Sequence, residues 1–106
     1  MTWSKWMLEN CRYETISTFW DDFSIADRRG LDAIQDTFNR AFREWKGDYK
    51  MLTELVMVLN HKIWYHYNAH NEAYAELYNT LWEQADAYAL DNLKDEELSY
   101  FITTTD

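Results

Sequence analysis

His66 and His70 stand four residues apart, so on a helix both imidazoles project from one face. Two neutral imidazoles at that spacing form half of a zinc site, which needs at least one further ligand. Glu72 follows too closely to be a convincing third ligand on the same helix face. His61 and His66 are five apart, so no His-Glu-x-x-His pattern exists. No Glu-x-x-His pair exists either, which removes a carboxylate-bridged di-iron bundle. The plainer reading is two half-buried imidazoles, hydrogen-bonded near a helix C-terminus, where a protonated ring is favoured.

Glu54 and His61 lie seven apart, with Lys50 one turn before Glu54. A carboxylate that orients a histidine is half of a general acid–base device, but nothing marks a nucleophile for it. The three are expected to form a charge ladder facing solvent. Cys11 has Arg12 beside it, which would lower a thiol pKa. Without a histidine partner it reads as an inert thiol. Glycine-rich phosphate loops, a dinucleotide fingerprint and a nucleophile elbow are all absent. These observations favour a protein that is not an enzyme and carries no metal or cofactor. A metal-dependent or acid–base enzyme built on the central histidines is the reading kept against that.

The acids offer a second kind of chemistry. Glu72, Glu76, Glu83 and Asp86 fall on one face of a helix and span about 21 Å at about 1.5 Å per residue. They are the candidate partner-binding residues, suited to a protein with a basic surface. Carboxylates in a row can also imitate phosphates, so an acidic nucleic-acid mimic that inhibits a host defence enzyme is the narrower alternative. The stripes assigned to the core do not place all of Trp3, Trp6, Trp20, Tyr65 and Trp82, and aromatic residues of this kind dominate binding hot spots.

Helices must position all of these groups. The chain has 106 residues, enough for a single domain over 1–106. It is 47% hydrophobic and 18% aromatic, with no Pro and two Gly, which argues against a turn-rich β fold and for a core rich in rings. The lone Cys11 excludes an internal disulfide framework. The net charge is −9, unevenly spread: residues 63–106 hold nine acids and only Lys94. That disfavours direct contact with nucleic acid or an anionic membrane. No stretch is long and apolar enough to span a membrane, and the first residues lack the marks of a secretory signal, so a cytoplasmic protein is expected.

Gly30 and Gly47 each follow basic residues and are expected to end helices in a left-handed conformation. Between them Leu31, Ile34, Phe38, Phe42 and Trp45 make one apolar stripe. Upstream, Thr18 resembles the N-cap of a capping box with Asp21, after which Phe19, Phe23 and Ala26 face one way. A short helix is expected within Trp3–Asn10. Asp48 is the expected N-cap of a helix to about His70 that is apolar on nearly every side. Lys50, Glu54, His61 and Asn68 form its only polar strip. Asn71 is the expected cap of the next helix, whose core face holds Tyr74, Leu77, Tyr78, Leu81, Ala85 and Tyr88. A last short helical turn at 95–101 precedes a frayed tail at 103–106.

The expected fold is therefore all-α: a compact antiparallel bundle of three long helices with N-terminal helices packed against it. Its core should contain Leu31, Ile34, Phe38, Phe42, Leu52, Leu55, Leu59, Ile63, Leu77, Leu81 and Tyr88. A central helix apolar all round needs cover, either from the N-terminal helices or from a two-fold homodimer.

Two segments, Thr18-Phe19-Trp20-Asp21-Asp22-Phe23-Ser24-Ile25-Ala26-Asp27-Arg28 and Leu52-Thr53-Glu54-Leu55-Val56-Met57-Val58-Leu59-Asn60-His61-Lys62-Ile63-Trp64, carry a likeness. With Asn39-Arg40-Ala41-Phe42 and Leu81-Trp82-Glu83-Gln84-Ala85-Asp86-Ala87-Tyr88, the chain resembles small uncharacterised helical proteins carried by conjugative elements and prophages of Gram-positive gut bacteria. Arg29 stands where an aromatic residue would be expected. The resemblance implies a bacterial cytoplasm and an accessory role in a mobile element, and it assigns no functional residue. The function expected is that of a non-enzymatic accessory protein acting by macromolecular contact.

Overall fold

The computed structural model describes residues 13–105, with side chains from Phe19 onward. The expected helix within Trp3–Asn10, and Cys11 with Arg12, lie outside the described residues. Five helices follow in order: α1 (Tyr13–Arg29), α2 (Leu31–Trp45), α3 (Tyr49–Asn68), α4 (Glu72–Asn92) and α5 (Asp95–Thr105). The described residues contain no strand, so the all-α expectation is met.

Connections are one to three residues long, and each solves its backbone problem differently. Gly30 alone joins α1 to α2. Its φ of 118° lies where glycine has no steric rival, and it donates to the Ala26 carbonyl while accepting from Ile34. Gly47 does not take the left-handed conformation expected of it. The work at that turn is done by Asp48, whose carboxylate caps Lys50 N and Met51 N at 3.1 Å each. At the end of α3 the left-handed residue is His70, at φ 63°. His70 N donates to Tyr67 O and Asn71 N to His66 O, the paired bonds of a Schellman motif with histidine in the usual glycine position.

Two expected boundaries are corrected. Helix α1 begins at Tyr13, so Thr18 and Asp21 lie inside it and form no capping box. The supposed frayed tail is helical to Thr105, because Thr104 is buried and the Thr105 hydroxyl bonds back to the Phe101 carbonyl. Helix α1, with 17 residues, is also as long as its neighbours rather than an accessory to three long ones.

Helix α3 is the hub and touches all four other helices. Its Leu52, Leu55, Val58 and Leu59 are fully buried. Phe19, Phe23 and Ala26 of α1 face it as expected, joined by Ile34 and Phe38 of α2, Tyr78, Leu81 and Ala85 of α4, and Phe101 of α5. The core is rich in rings, since Phe23, Phe38, Tyr78 and Phe101 are fully buried, but aliphatic side chains outnumber them. Phe42, Ile63, Leu77 and Tyr88 are partly buried against this core. Leu31 is not part of it: it opens α2 directly after Gly30 and is 41% exposed, so the stripe meets the core only from Ile34 on. The other four helices share the cover of α3, with α4 making the most extensive contact and α1 only part of it.

These burials set a contrast that unfolding in urea measures. Leu55→Ala should cost about 2–5 kcal/mol, a large share of the ~5–15 kcal/mol a domain of this size commands. Leu31→Ala should stay within about 0.5 kcal/mol, like other surface substitutions. Equal losses at the two positions would mean that α2 enters the core one turn earlier than described.

Candidate functional site

The least expected feature is a charged cluster inside the bundle. Lys62 points inward from the middle of α3 and is 1% exposed. Its ammonium donates to Asp27 Oδ2 and to Ser24 Oγ of α1, each at 2.9 Å. It also sits 3.9 Å from the centre of the Trp20 ring and 5.1 Å from that of Tyr65, a cation held over aromatic faces. Asp27 Oδ1 accepts from the Tyr78 hydroxyl of α4 at 2.6 Å. One carboxylate therefore joins three helices.

His66 follows Lys62 by one turn and is also buried. Its Nε2 lies 3.0 Å from Asp27 Oδ2 but off the N–H axis, so the contact is a close electrostatic one without an aligned hydrogen bond. Nδ1 lies 3.4 Å from the Asn71 amide nitrogen, and the ring stacks on Tyr78 with centroids 5.4 Å apart. Asn71 thus occupies the expected N-cap position of α4, yet its side chain makes no cap bond and turns to the histidine instead.

Burial pushes the Lys62 ammonium below the ordinary lysine value, while Asp27 opposes that shift. Burial and the Asp27 hydrogen bond both push the Tyr78 phenol well above its ordinary value. The Ser24–Lys62 contact has the spacing of a nucleophile and its base. A base must be a free amine, however, and the Asp27 carboxylate and the Trp20 face both favour the ammonium. An ammonium that donates to Ser24 cannot also take its proton. The cluster is arranged to hold charge in place rather than to move protons.

The candidate sites read from sequence separate in space. His66 is enclosed, whereas His70 is an exposed turn residue, so the two do not form a zinc half-site. Among the described residues no three His, Cys, Asp or Glu gather where a metal would bind. Glu54 is 2% exposed and belongs to the interior of the bundle, whereas Lys50 and Asn68 of the same strip are exposed; the ladder facing solvent is corrected at Glu54. His61 is partly buried, and burial pushes its imidazole below the ordinary value.

The acidic row divides. Glu72, Glu76 and Glu83 are exposed along α4, with Asn79 donating to Glu83 at 3.1 Å. Asp86 is partly buried and lines a groove with Met57 and His61 of α3, Trp82 and Leu90 of α4, and Ile102 of α5. On α3, one turn beyond Asn60, Trp64 and Tyr67 meet edge-to-face at 5.8 Å and are 56% and 62% exposed. Sequence reasoning left this pair off the list of interface aromatics, although their spacing of three residues puts them on one helix face.

Removing one member of the cluster should be costly. Asp27→Asn leaves the Lys62 charge buried without its counter-ion and should cost about 3–5 kcal/mol in urea unfolding. Tyr78 adds a pH signature. Its folded-state value is raised above the unfolded value of about 10, so its stabilising contribution is complete below pH 10 and is lost as the pH climbs beyond. Tyr78→Phe should flatten that alkaline loss; an unchanged slope would show that the phenol ionises as freely in the folded protein as in the unfolded one.

Compared with family models, curated proteins and solved structures, the chain matches none. Its functional reading therefore rests on the arrangement of its own side chains.

Proposed function

We propose that this is a non-enzymatic accessory protein that works by contact with a protein partner bearing a basic surface. One observation carries the reading: past Ile63 the chain has nine acids and a single base, Lys94, and Glu72, Glu76 and Glu83 stand exposed in line on α4. A surface of one sign attracts and orients an oppositely charged partner before contact. The exposed Trp64–Tyr67 pair supplies the kind of side chains that anchor such contacts once formed. An acidic mimic of nucleic acid, acting on a defence enzyme, is the narrower form of the same reading. The family resemblance would set it in a bacterial cytoplasm, on a mobile element. Trp64 and Tyr67 also favour a second reading, a two-fold homodimer that buries this aromatic patch; a strict monomer in light scattering at high micromolar concentration would exclude it.

The test is a tagged pull-down from bacterial cytoplasm with mass spectrometry, repeated with Glu72→Gln, Glu76→Gln, Glu83→Gln and Asp86→Asn combined. The variant should melt like the parent, because these side chains face away from Tyr78, Leu81 and Ala85. Association with the captured partner should slow about tenfold or more at low salt and lose most of its salt dependence. Unchanged affinity and salt dependence would reduce the row to ordinary solvated surface.

A further inference from the structure

The groove between α3, α4 and α5 has a volume of about 770 Å³, room for a few side chains but not for a whole helix. Its walls are mixed: Met57, Trp82, Leu90 and Ile102 give the apolar part and Asn60, Thr104 and Thr105 the polar part, and Leu90 and Ile102 continue onto the surface at 49% and 42% exposure. Asp86 stands among these side chains. Burial pushes its carboxyl up from the ordinary value, and no basic side chain among the described residues pairs with it. His61, on the facing helix, is pushed toward its neutral form and brings no positive charge at neutral pH. The acids of α5, Asp95, Glu96 and Glu97, lie in its first turn, while its last turns line the groove. The groove thus presents a partly desolvated carboxylate beside the apolar side chains of Trp82, Leu90 and Ile102, with no Lys or Arg among the described residues paired to it.

We propose that this groove is the docking site for a basic amphipathic segment of the protein partner, which sets a Lys or Arg side chain against Asp86 and apolar side chains against Trp82, Leu90 and Ile102. The proposal rests on the basic-partner reading above and names the place and form of the contact. Charge complementarity selects the occupant: the carboxylate of the groove is negative, and so is nearly every charge of the sequence past Ile63. The exposed apolar rim selects a peptide over a small cation, because a lone amine would leave Leu90 and Ile102 uncovered. A helix that inserts only its anchor side chains, spaced three and four apart, fits a groove of this size.

The probe is a synthetic 18-residue helical peptide with Leu on one face and Lys on the other, with a Glu-for-Lys version and n-butylammonium as controls. Calorimetry gives affinity, and NMR of the full-length protein locates the contact. The Lys peptide should bind and shift the Trp82 indole and Ile102 signals, while neither control binds comparably. Asp86→Asn and Leu90→Ser should each weaken binding about three- to tenfold. Asp86→Asn should leave the melting temperature unchanged or slightly raised, since burial makes the ionised carboxylate a burden on the folded state. Peptide affinity unmoved by both substitutions, shifts confined to Trp64 and Tyr67, or n-butylammonium binding as tightly as the peptide would each overturn the proposal. If Asp86→Asn and Leu90→Ser combined in one chain lose the peptide but keep the captured partner, the groove assignment falls and the basic-partner reading stands. If no version of the protein captures a basic partner, that reading falls, and with it the docking role, whatever the peptide does.

Discussion

The fold depends on how Lys62 is neutralised. An ammonium at 1% exposure has lost nearly all contact with water, and an unpaired charge in that position would cost several kcal/mol. Asp27 supplies the counter-charge, Ser24 a further acceptor, and the Trp20 and Tyr65 rings the rest of the enclosure. Asp27, Ser24 and Trp20 all belong to α1, and only Tyr65 shares α3 with the lysine. The pairing therefore acts across helices, and it acts at one register: sliding α1 by a single turn along α3 would carry Asp27 about 5.4 Å away. Leu, Val and Ala contacts tolerate such slips far better, because one apolar neighbour is nearly as good as another. The ionic cluster is the part of the interior that tells α1 where to sit.

The same carboxylate extends the constraint to α4 through Tyr78 and to the end of α3 through His66. His66 is coupled in turn to the α3–α4 connection: its carbonyl accepts from Asn71 N, and Nδ1 approaches the Asn71 amide. The turn that reverses the chain between its two longest helices is thus tied to the charged cluster. That accounts for a histidine at the left-handed position, where glycine would be less strained. With the turn fixed from inside, the backbone conformation of His70 is imposed on it, at a local cost of about 1–2 kcal/mol.

What could be read in the sequence follows from what periodicity encodes. Stripes spaced three and four apart gave the helices of the bundle and most of the core, from Ile34 and Phe38 to Leu59 and Leu81. They failed at element ends, where one residue's environment outweighs the pattern: Leu31 beside Gly30, Thr104 in the last turn, Gly47 next to a sufficient aspartate cap. They failed more instructively at Lys62. Val58, Lys62 and His66 share a helix face, and a lysine and a histidine on an otherwise apolar face imply an acid facing them from another helix. Asp27 was visible as that acid, one turn after Phe23 on a core-facing stripe. Pattern alone did not join the two, because the contact spans 35 residues of sequence and leaves no local periodic trace. The acidic row was legible as a row. Its division into three exposed carboxylates and one in a groove depends on where α5 packs, which the α4 sequence does not contain.

Asp27 and Asp86 show how differently one side chain is treated within the same small bundle. Both carboxylates are partly withdrawn from water. Asp27 is surrounded by a lysine, a tyrosine and a histidine drawn from two other helices. Asp86 shares its groove with Trp82, Leu90 and Ile102, with the hydroxyls of Thr104 and Thr105, and with an imidazole that burial pushes toward its neutral form. Folding alone gives no reason for the second arrangement, since an asparagine there would avoid the desolvation and a lysine on α5 would offset it. Asp86 is only partly withdrawn from water, so its desolvation is milder than that of the Lys62 cluster, and no Lys or Arg among the described residues offsets it. Under the docking proposal, the charge is met by a cation that belongs to another molecule. On that view the two aspartates divide the work: Asp27 holds the helices in register, and Asp86, presented on the frame so fixed, keeps its charge for the partner.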